Sequence, residues 1–380
     1  MRTNIENAHG GAGPRILVIG QARPVLETVM QELRALDLTV EGTTQPDQAP
    51  AMFDAANFDL VAIGGGVSSD VRAALKEAFA RQDPSVRLLD TYAPVAVSQI
   101  MGALNKADSS RRVDLDAYFA RIGYDGPREP TLDTLRALHE LHPDAIAFEA
   151  IDVLLDRDID ISPEAIDAKL IRARRGGYCF EQNSLFKHVL EEIGFKVDGL
   201  SARVRWNAPA GAPISPRTHM ALKVTIDGAP WLADVGFGGC VMTTPLLMDV
   251  AEPQATQHES FRIFPFGPSL LVQACRGDAW LPLYELSRET HYEADYELAN
   301  WFTAKHPNSP FRHRLIAART TPDARYGLLD NRLSVRRPDG GTERQTLRAD
   351  DIERMLTDVF RLPVAADWRP VIDRAAAAPA

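Results

Sequence analysis

Short apolar runs separated by helix-length stretches fill the first hundred residues, and this alternation constrains the fold more than any other feature of the chain. The runs are Arg15-Ile-Leu-Val-Ile-Gly, Leu38-Thr-Val-Glu-Gly, Phe58-Asp-Leu-Val-Ala-Ile-Gly-Gly-Gly and Val86-Arg-Leu-Leu-Asp. Residues 24–36, 70–81 and 95–104 have helical spacing. Strands that are apolar throughout need cover on both faces, and crossover helices supply it. The segment therefore predicts a doubly wound parallel sheet of the α/β class.

A second kind of signal lies at residues 174–183, Arg-Arg-Gly-Gly-Tyr-Cys-Phe-Glu-Gln-Asn. It sets Cys179 after two glycines and at the mouth of an amphipathic helix beginning near Phe180. Gly176 and Gly177 let the backbone turn with no Cβ in the way. A thiol at a helix N-terminus, beside an imidazole that can take its proton, becomes a nucleophilic thiolate. The helix would also aim its free amides at any oxyanion formed there. Thr218-His219-Met-Ala-Leu-Lys-Val-Thr-Ile reads as a strand with His219 near its start, and Trp231-Leu-Ala-Asp-Val as the next, after a turn at Asp227-Gly228. Adjacent antiparallel strands would hold His219 and Asp234 side by side, with the carboxylate fixing the imidazole tautomer. Taken singly, each is an ordinary core or surface residue. Taken together, in the order Cys, His, Asp, they compose a nucleophile, its base and its orienter.

From about residue 113 to about 370 the chain resembles the arylamine N-acetyltransferases. The likeness rests on Asp114-Leu-Asp-Ala-Tyr-Phe-Ala-Arg-Ile-Gly-Tyr, Leu132-Asp-Thr-Leu-Arg-Ala-Leu-His, Phe148-Glu, Arg175-Gly-Gly-Tyr-Cys-Phe-Glu-Gln-Asn, Gly194-Phe, Ala202-Arg-Val, Thr218-His219 and Asp234-Val-Gly-Phe-Gly. Weaker echoes follow at Asp295-Tyr-Glu-Leu-Ala-Asn and Asn308-Ser-Pro-Phe. The resemblance implies a ping-pong acyltransferase. Acetyl-coenzyme A acetylates the cysteine, coenzyme A leaves, and an aromatic amine, hydrazine or N-hydroxyarylamine takes the acetyl group. Position by position it implies Cys179 as nucleophile, His219 as base and Asp234 as orienting acid. Trp206, Thr218, Gly236, Phe237 and Gly238 would lie at coenzyme A, and Phe148, Val204 and Phe237 would line the acceptor pocket. No tightly bound cofactor and no metal are implied.

On their residues alone, Phe148 and Val204 read as core, Trp206 with Arg203 and Arg205 as a partly exposed strand face, and the 236–239 glycines as a tight turn. Cys240 and Cys275 have no partners at metal-ligand spacing and read as structural. One departure is plain. Where the family usually has Pro-Phe-Glu-Asn, this chain has Ala147-Phe148-Glu149-Ala150, which bears on pocket shape and substrate range rather than on the triad.

The family architecture implies a helical bundle at 113–195 ending in the nucleophile, an antiparallel β-barrel at 196–297 and an α/β lid at 298–370, a cysteine-proteinase or transglutaminase-like arrangement. A disordered start at 1–13, a linker at 106–112 and a flexible tail at 371–380 complete the expected organisation. Residues 14–105 are similar in pattern to a response-regulator receiver, a flavodoxin-like domain. The places of its acidic pair, phosphorylated aspartate and lysine hold Gly20-Gln21, Gly64-Gly65-Gly66 and Asp90-Thr91-Tyr92. Without those carboxylates no magnesium site forms, so the segment is expected to be a pseudo-receiver used for self-association or docking. Its Gly64–Gly66 run at a strand end could cradle an anion, although a tight turn is the simpler reading.

The remaining composition narrows the setting. A net charge of −10 with no basic stripe argues against a nucleic-acid partner. Three cysteines without short spacing suit a reducing compartment, and no apolar run is long enough to span a bilayer, so the cytoplasm is expected. Two other functions fit parts of the sequence. One is an amide synthase moving a thioester-bound polyketide chain to an aryl amine through the same triad. The other is a regulatory or docking protein working through its first hundred residues. A protease-type cysteine hydrolase fits less well, because the motif around Cys179 is not protease-like.

Overall fold

The computed structural model describes residues 14–379 except 37, 85, 94, 95, 98, 102, 104–112 and 210. The expected disordered start at 1–13 and linker at 106–112 lie outside the described residues. The chain divides into two compact units, Met1–Arg111 and Arg112–Ala380.

In the first unit, β1 (Arg15–Ile19), β2 (Thr39–Thr43), β3 (Leu60–Gly64) and β4 (Arg87–Thr91) form a parallel sheet in the order β2-β1-β3-β4. Alternate residues of β1 feed two separate cores. Ile16 and Val18 pack with Leu26, Val29 and Leu33 of the helix Arg23–Arg34, while Leu17 and Ile19 pack with Leu75 and Phe79 of the helix Ser69–Gln82. Burial on both faces follows from strands with no polar side. The link from β2 to β3 holds only short turns, with Pro46 and Pro50 in them, rather than a full helix. Of the helix expected over 95–104, the described residues are helical, and Ala96 and Ile100 are buried.

The second unit opens with the helices Leu115–Ile122 and Leu132–Ala145, capped by Asp114 and Thr131. After β5 (Phe148–Glu149) comes the helix Cys179–Ile193, which buries Phe180, Phe186, Val189 and Leu190 and ends at Gly194 in the left-handed conformation. The next strands are β6 (Lys196–Val204), β7 (His219–Ile226), β8 (Ala229–Ala233), β9 (Leu246–Leu247), β10 (Gln254–Ala255), β11 (Ser260–Phe266), β12 (Ser269–Arg276) and β13 (Ala279–Leu286). They make an antiparallel, barrel-like sheet in the order β10-β11-β12-β13-β6-β7-β8-β9. Its core includes Leu200, Ala202, Leu232, Phe261, Val272, Leu283 and Leu286. A third sheet joins β14 (Ile316–Thr320), β15 (Arg325–Leu329), β16 (Arg332–Arg336) and β17 (Thr342–Thr346) to β5, in the order β17-β16-β15-β14-β5.

The segment 113–195 is helix-rich and also contributes a strand, since β5 pairs with β14 across Phe148–Ala318 and Glu149–Ala317. Two expectations need correction. A boundary at 297/298 cuts through the helix Glu293–Lys305, whose Tyr296 and Ala304 are buried with Tyr178 and Phe180. Of the expected flexible tail at 371–380, residues 371–376 are helical. The helix Arg369–Ala376 buries Val371, Ile372 and Ala375 beside Trp368, Leu356 and Phe360.

Candidate active site

Cys179 is the first residue of its helix, and its side chain is nearly buried. The N-terminus is fixed from beneath: Glu181 Oε2 accepts from the Tyr178 N–H at 3.0 Å, and Glu181 Oε1 meets Lys169 Nζ at 2.7 Å. Lys169 reaches Asp152 at 2.8 Å, and Arg175 bridges Asp152 and Glu149. This buried ion network ties the Arg175-Gly-Gly-Tyr-Cys segment to β5. The glycines act here by allowing close approach rather than by left-handed backbone: a Cβ on Gly176 would stand 2.1 Å from the Ala147 carbonyl oxygen.

His219 begins β7 and Asp234 follows β8. Asp227 and Gly228 both have positive φ, 49° and 80°, as a tight two-residue hairpin turn requires. The register Leu222–Ala233 then brings the two ends together. His219 Nε2 lies 2.7 Å from Asp234 Oδ2, and both side chains are buried. With Nε2 committed to the carboxylate, Nδ1 is the other ring nitrogen, and Cys179 is near enough to be among the groups that raise the His219 pKa. The thiol donates to the Thr218 carbonyl at 3.6 Å.

Burial opposes a charged His219, but the Asp234 charge and hydrogen bond outweigh it, with help from Cys179, and its pKa is pushed up to about 10. Burial likewise opposes ionisation of Asp234, yet His219, Asn183 and the Gly236 N–H hold its pKa below the usual carboxylate value. Asp234 Oδ1 accepts from Asn183 Nδ2 at 3.0 Å and from the Gly236 N–H at 2.9 Å.

The other residues singled out by sequence lie around this group. Phe237 packs edge-on against His219, with centroids 5.1 Å apart, and against Trp206 at 6.3 Å. Val204 pairs with Tyr284 across β6 and β13, and the Tyr284 ring sits 4.9 Å from His219 and 5.1 Å from Phe237. The buried Tyr284 hydroxyl feels Asp234 without a hydrogen bond of good geometry, and burial first, then that charge, holds its pKa well above normal. Phe148 lies against Gly238, whose φ is +70° and whose added Cβ would come within 3.3 Å of the ring. Gly238–Cys240 forms a short turn, and Arg336 donates to the Gly239 carbonyl at 3.2 Å. Burial raises the Cys240 pKa, consistent with a structural thiol. Among the described residues no group of three or more His, Cys, Asp and Glu side chains is placed to hold a metal.

Sequence reasoning missed Asn183 and Tyr284. Asn183 had a legible signal, because it stands four residues after Cys179 and so on the same helix face. Tyr284 had none, being set by the β6–β13 pairing. At the far end of β3, Gly65, Gly66, Ser68 and Ser69 line a cavity of about 620 Å³ with Arg72 and Lys76. Asp90 engages both cations, Lys76 at 2.7 Å and Arg72 at 3.6 Å, leaving little free positive charge for an anion.

The family model described as N-acetyltransferase matches residues 131–369. The arylamine N-acetyltransferase of Mycobacterium tuberculosis is 42% identical over 257 residues, 67% of this chain and 90% of its own length. That of Escherichia coli is 41% identical over 209 residues, 55% of this chain and 74% of its own length. The solved arylamine N-acetyltransferase of Mycobacterium marinum in complex with CoA aligns with a TM-score of 0.66 and 41% identity, covering 69% of this chain and 98% of that one.

Proposed function

The chain belongs to the arylamine N-acetyltransferase family, and from that premise we propose that Cys179, His219 and Asp234 are the residues through which it transfers an acetyl group. The enzyme acetylates arylamines at the expense of acetyl-coenzyme A. The observation that supports the residue assignment is the 2.7 Å contact of His219 Nε2 with Asp234 Oδ2 beside Cys179, which heads a helix and whose thiol donates to the carbonyl of Thr218, the neighbour of His219.

The steps follow from that geometry. The thiol proton passes to His219 Nδ1 before the donor binds, giving the thiolate–imidazolium pair that the raised His219 pKa favours, and the sulfur adds to the thioester carbonyl of acetyl-coenzyme A. The tetrahedral oxyanion lies where free helix amides can receive it. Its collapse breaks the bond to the coenzyme A sulfur, which leaves with the proton held by His219. The amine nitrogen then attacks the acetyl-Cys179 thioester, passes a proton to His219, and departs as the amide while Cys179 regains its hydrogen. Asp234 stabilises the imidazolium at each stage and keeps the ring in the tautomer that presents Nδ1 to sulfur.

Trp206, Thr218 and the Gly236–Gly238 backbone are assigned to coenzyme A, and the relative solved with CoA supports a site in this fold. Phe148, Val204 and Phe237 are assigned to the acceptor, because Phe237 packs on the His219 ring, Val204 pairs with Tyr284 beside that ring, and Phe148 lies against Gly238. Incubation with acetyl-coenzyme A, followed by intact mass spectrometry, should find one acetyl group on Cys179 that an arylamine or hydrazine removes. Cys179→Ala should show neither step. Acetylation persisting in that variant would refute the assignment.

For the amino-terminal unit we propose a pseudo-receiver that associates with a second copy or another protein. The strand order β2-β1-β3-β4 supports the flavodoxin-like reading. Deletion of residues 1–112 should leave acetylation intact and change the oligomeric state measured by light scattering. A folded but inactive truncation would refute a purely docking role. The unpaired Cys179, Cys240 and Cys275 support a reducing, cytoplasmic setting, and among the described residues no helix is long and apolar enough to cross a membrane.

A further inference from the structure

We propose that His139 is a positioning residue for the triad, an acceptor that holds the Asp234 backbone so that its carboxylate meets His219. The proposal rests on the triad assignment above and adds a residue from a different helix.

Two histidines on the helix Leu132–Ala145 are fully buried, and their surroundings differ. His142 is an ordinary satisfied core residue, with Nδ1 2.9 Å from the Tyr118 hydroxyl and Nε2 2.6 Å from Gln182 Oε1. Among the described residues the His139 ring has one hydrogen bond to another residue, with Nε2 accepting from the Asp234 N–H at 3.0 Å, while its Nδ1 has no partner beyond its own main chain. A backbone amide can only donate, so His139 Nε2 must be unprotonated and the neutral ring carries its hydrogen on Nδ1. Burial favours that neutral form, pushing the His139 pKa down to about 4 against the pull of the Asp234 charge. The ring edge is packed at a right angle to Phe186, with centroids 5.8 Å apart.

The arrangement answers a need created by the hairpin. Strand β8 ends at Ala233, opposite Leu222, so the Asp234 N–H lies beyond the ladder and is buried. A buried amide without a partner is costly, and the backbone would turn to find one. Asn183 serves the next amide, Val235 N–H at 3.1 Å, and holds the Asp234 carboxylate. His139 serves the remaining amide. Asp234 is thus gripped at the main chain by one helix and at the carboxylate by another, which leaves its 2.7 Å contact with His219 little freedom.

The test compares His139→Leu with His139→Gln in the full chain. Gln can place Oε1 near the position of Nε2, whereas Leu fills the space with no acceptor. Release of coenzyme A from acetyl-coenzyme A, without an acceptor amine, is followed by stopped flow across donor concentrations. His139→Leu is expected to slow the acetylation rate constant about tenfold at an unchanged half-saturating concentration, and His139→Gln to recover it to within about twofold. A His139→Leu protein as fast as wild type, or a His139→Gln protein as slow as His139→Leu, would overturn the proposal. Should His139→Leu fail to fold, nitrogen NMR of the wild-type imidazole decides: an unprotonated Nε2 supports the role and a protonated one refutes it. Failure of the triad assignment looks different, since wild-type Cys179 would then not be acetylated at all.

Discussion

Asn183 holds Asp234 by a two-sided contact: its Nδ2 donates to Asp234 Oδ1 at 3.0 Å while its Oδ1 accepts from the adjacent Val235 N–H at 3.1 Å. The same Nδ2 also donates to the Met220 carbonyl at 2.7 Å, next to His219 in the chain. One amide on the helix that Cys179 opens therefore fixes the strand ends that carry both His219 and Asp234.

Replacing Asn183 with Leu keeps the branched outline of the side chain, in bulkier groups, and removes all three bonds. The Val235 N–H and the Met220 carbonyl would lose their Asn183 partner and Asp234 Oδ1 would keep only the Gly236 N–H, so the folded state should lose about 1–3 kcal/mol. Urea denaturation measures that loss. The rate of Cys179 acetylation should fall as well, because Asp234 is freed to turn. Unchanged stability in Asn183→Leu would mean that water replaces the amide.

Gly236 has a steric reason to be glycine. A Cβ there would lie 2.7 Å from Asn183 Nδ2 and 2.9 Å from Cys179 Cα, and backbone atoms cannot yield as a side chain can. Gly236→Ala should destabilise the fold by about 1–3 kcal/mol and cripple acetylation. The neighbouring Gly239 is a built-in control, since among the described residues nothing stands within 4 Å of an added Cβ. Gly239→Ala should melt with the wild type, and thermal denaturation of the two variants distinguishes them.

These contacts mark where sequence reading succeeds and where it stops. Asp227-Gly228 announces the hairpin, and once its register is set His219 and Asp234 must lie together. Periodicity in the first hundred residues likewise exposes both buried faces of the parallel sheet. The two-residue strand β5 is too short to show a period, so its pairing with β14 depends on tertiary contacts alone. Tyr284 and His139 approach the triad from β13 and from a helix ninety-five residues before Asp234, and no spacing rule connects them. The alanines after Arg374 read as a loose end because alanine has little side chain to bury, whereas the turn before them is anchored by Val371 and Ile372.

That anchoring is open to measurement. Ile372 is fully buried with Trp368, Leu356 and Phe360. Ile372→Ala removes three carbons from a packed site and should cost about 2–5 kcal/mol. An exposed position on the same helix, Asp373, provides the comparison. If Ile372→Ala and Asp373→Ala melt alike, the carboxyl-terminal helix is not part of the core.

The pairing of His219 with Asp234 fixes a pH dependence whose sign can be worked out. The folded His219 pKa is raised to about 10 from a reference value of 6.5. The folded protein therefore holds a proton that the unfolded chain releases between those values. This contribution is fully present below pH 6.5 and is lost as pH rises toward 10, at a slope of up to about 1.4 kcal/mol per pH unit. Asp234 acts at the acid end. Its lowered pKa contributes stability above its usual value near 3.8, and that stability is lost as pH falls through the folded value. Cys179 is among the groups that raise the His219 pKa, so the cleaner measurement uses Cys179→Ala as background. Denaturation of Cys179→Ala and Cys179→Ala/His219→Gln should differ most near pH 5–6.5 and converge as pH approaches 10. A difference that stays constant across that range would mean that His219 is neutral when folded, and the ion pair with Asp234 would have to be abandoned.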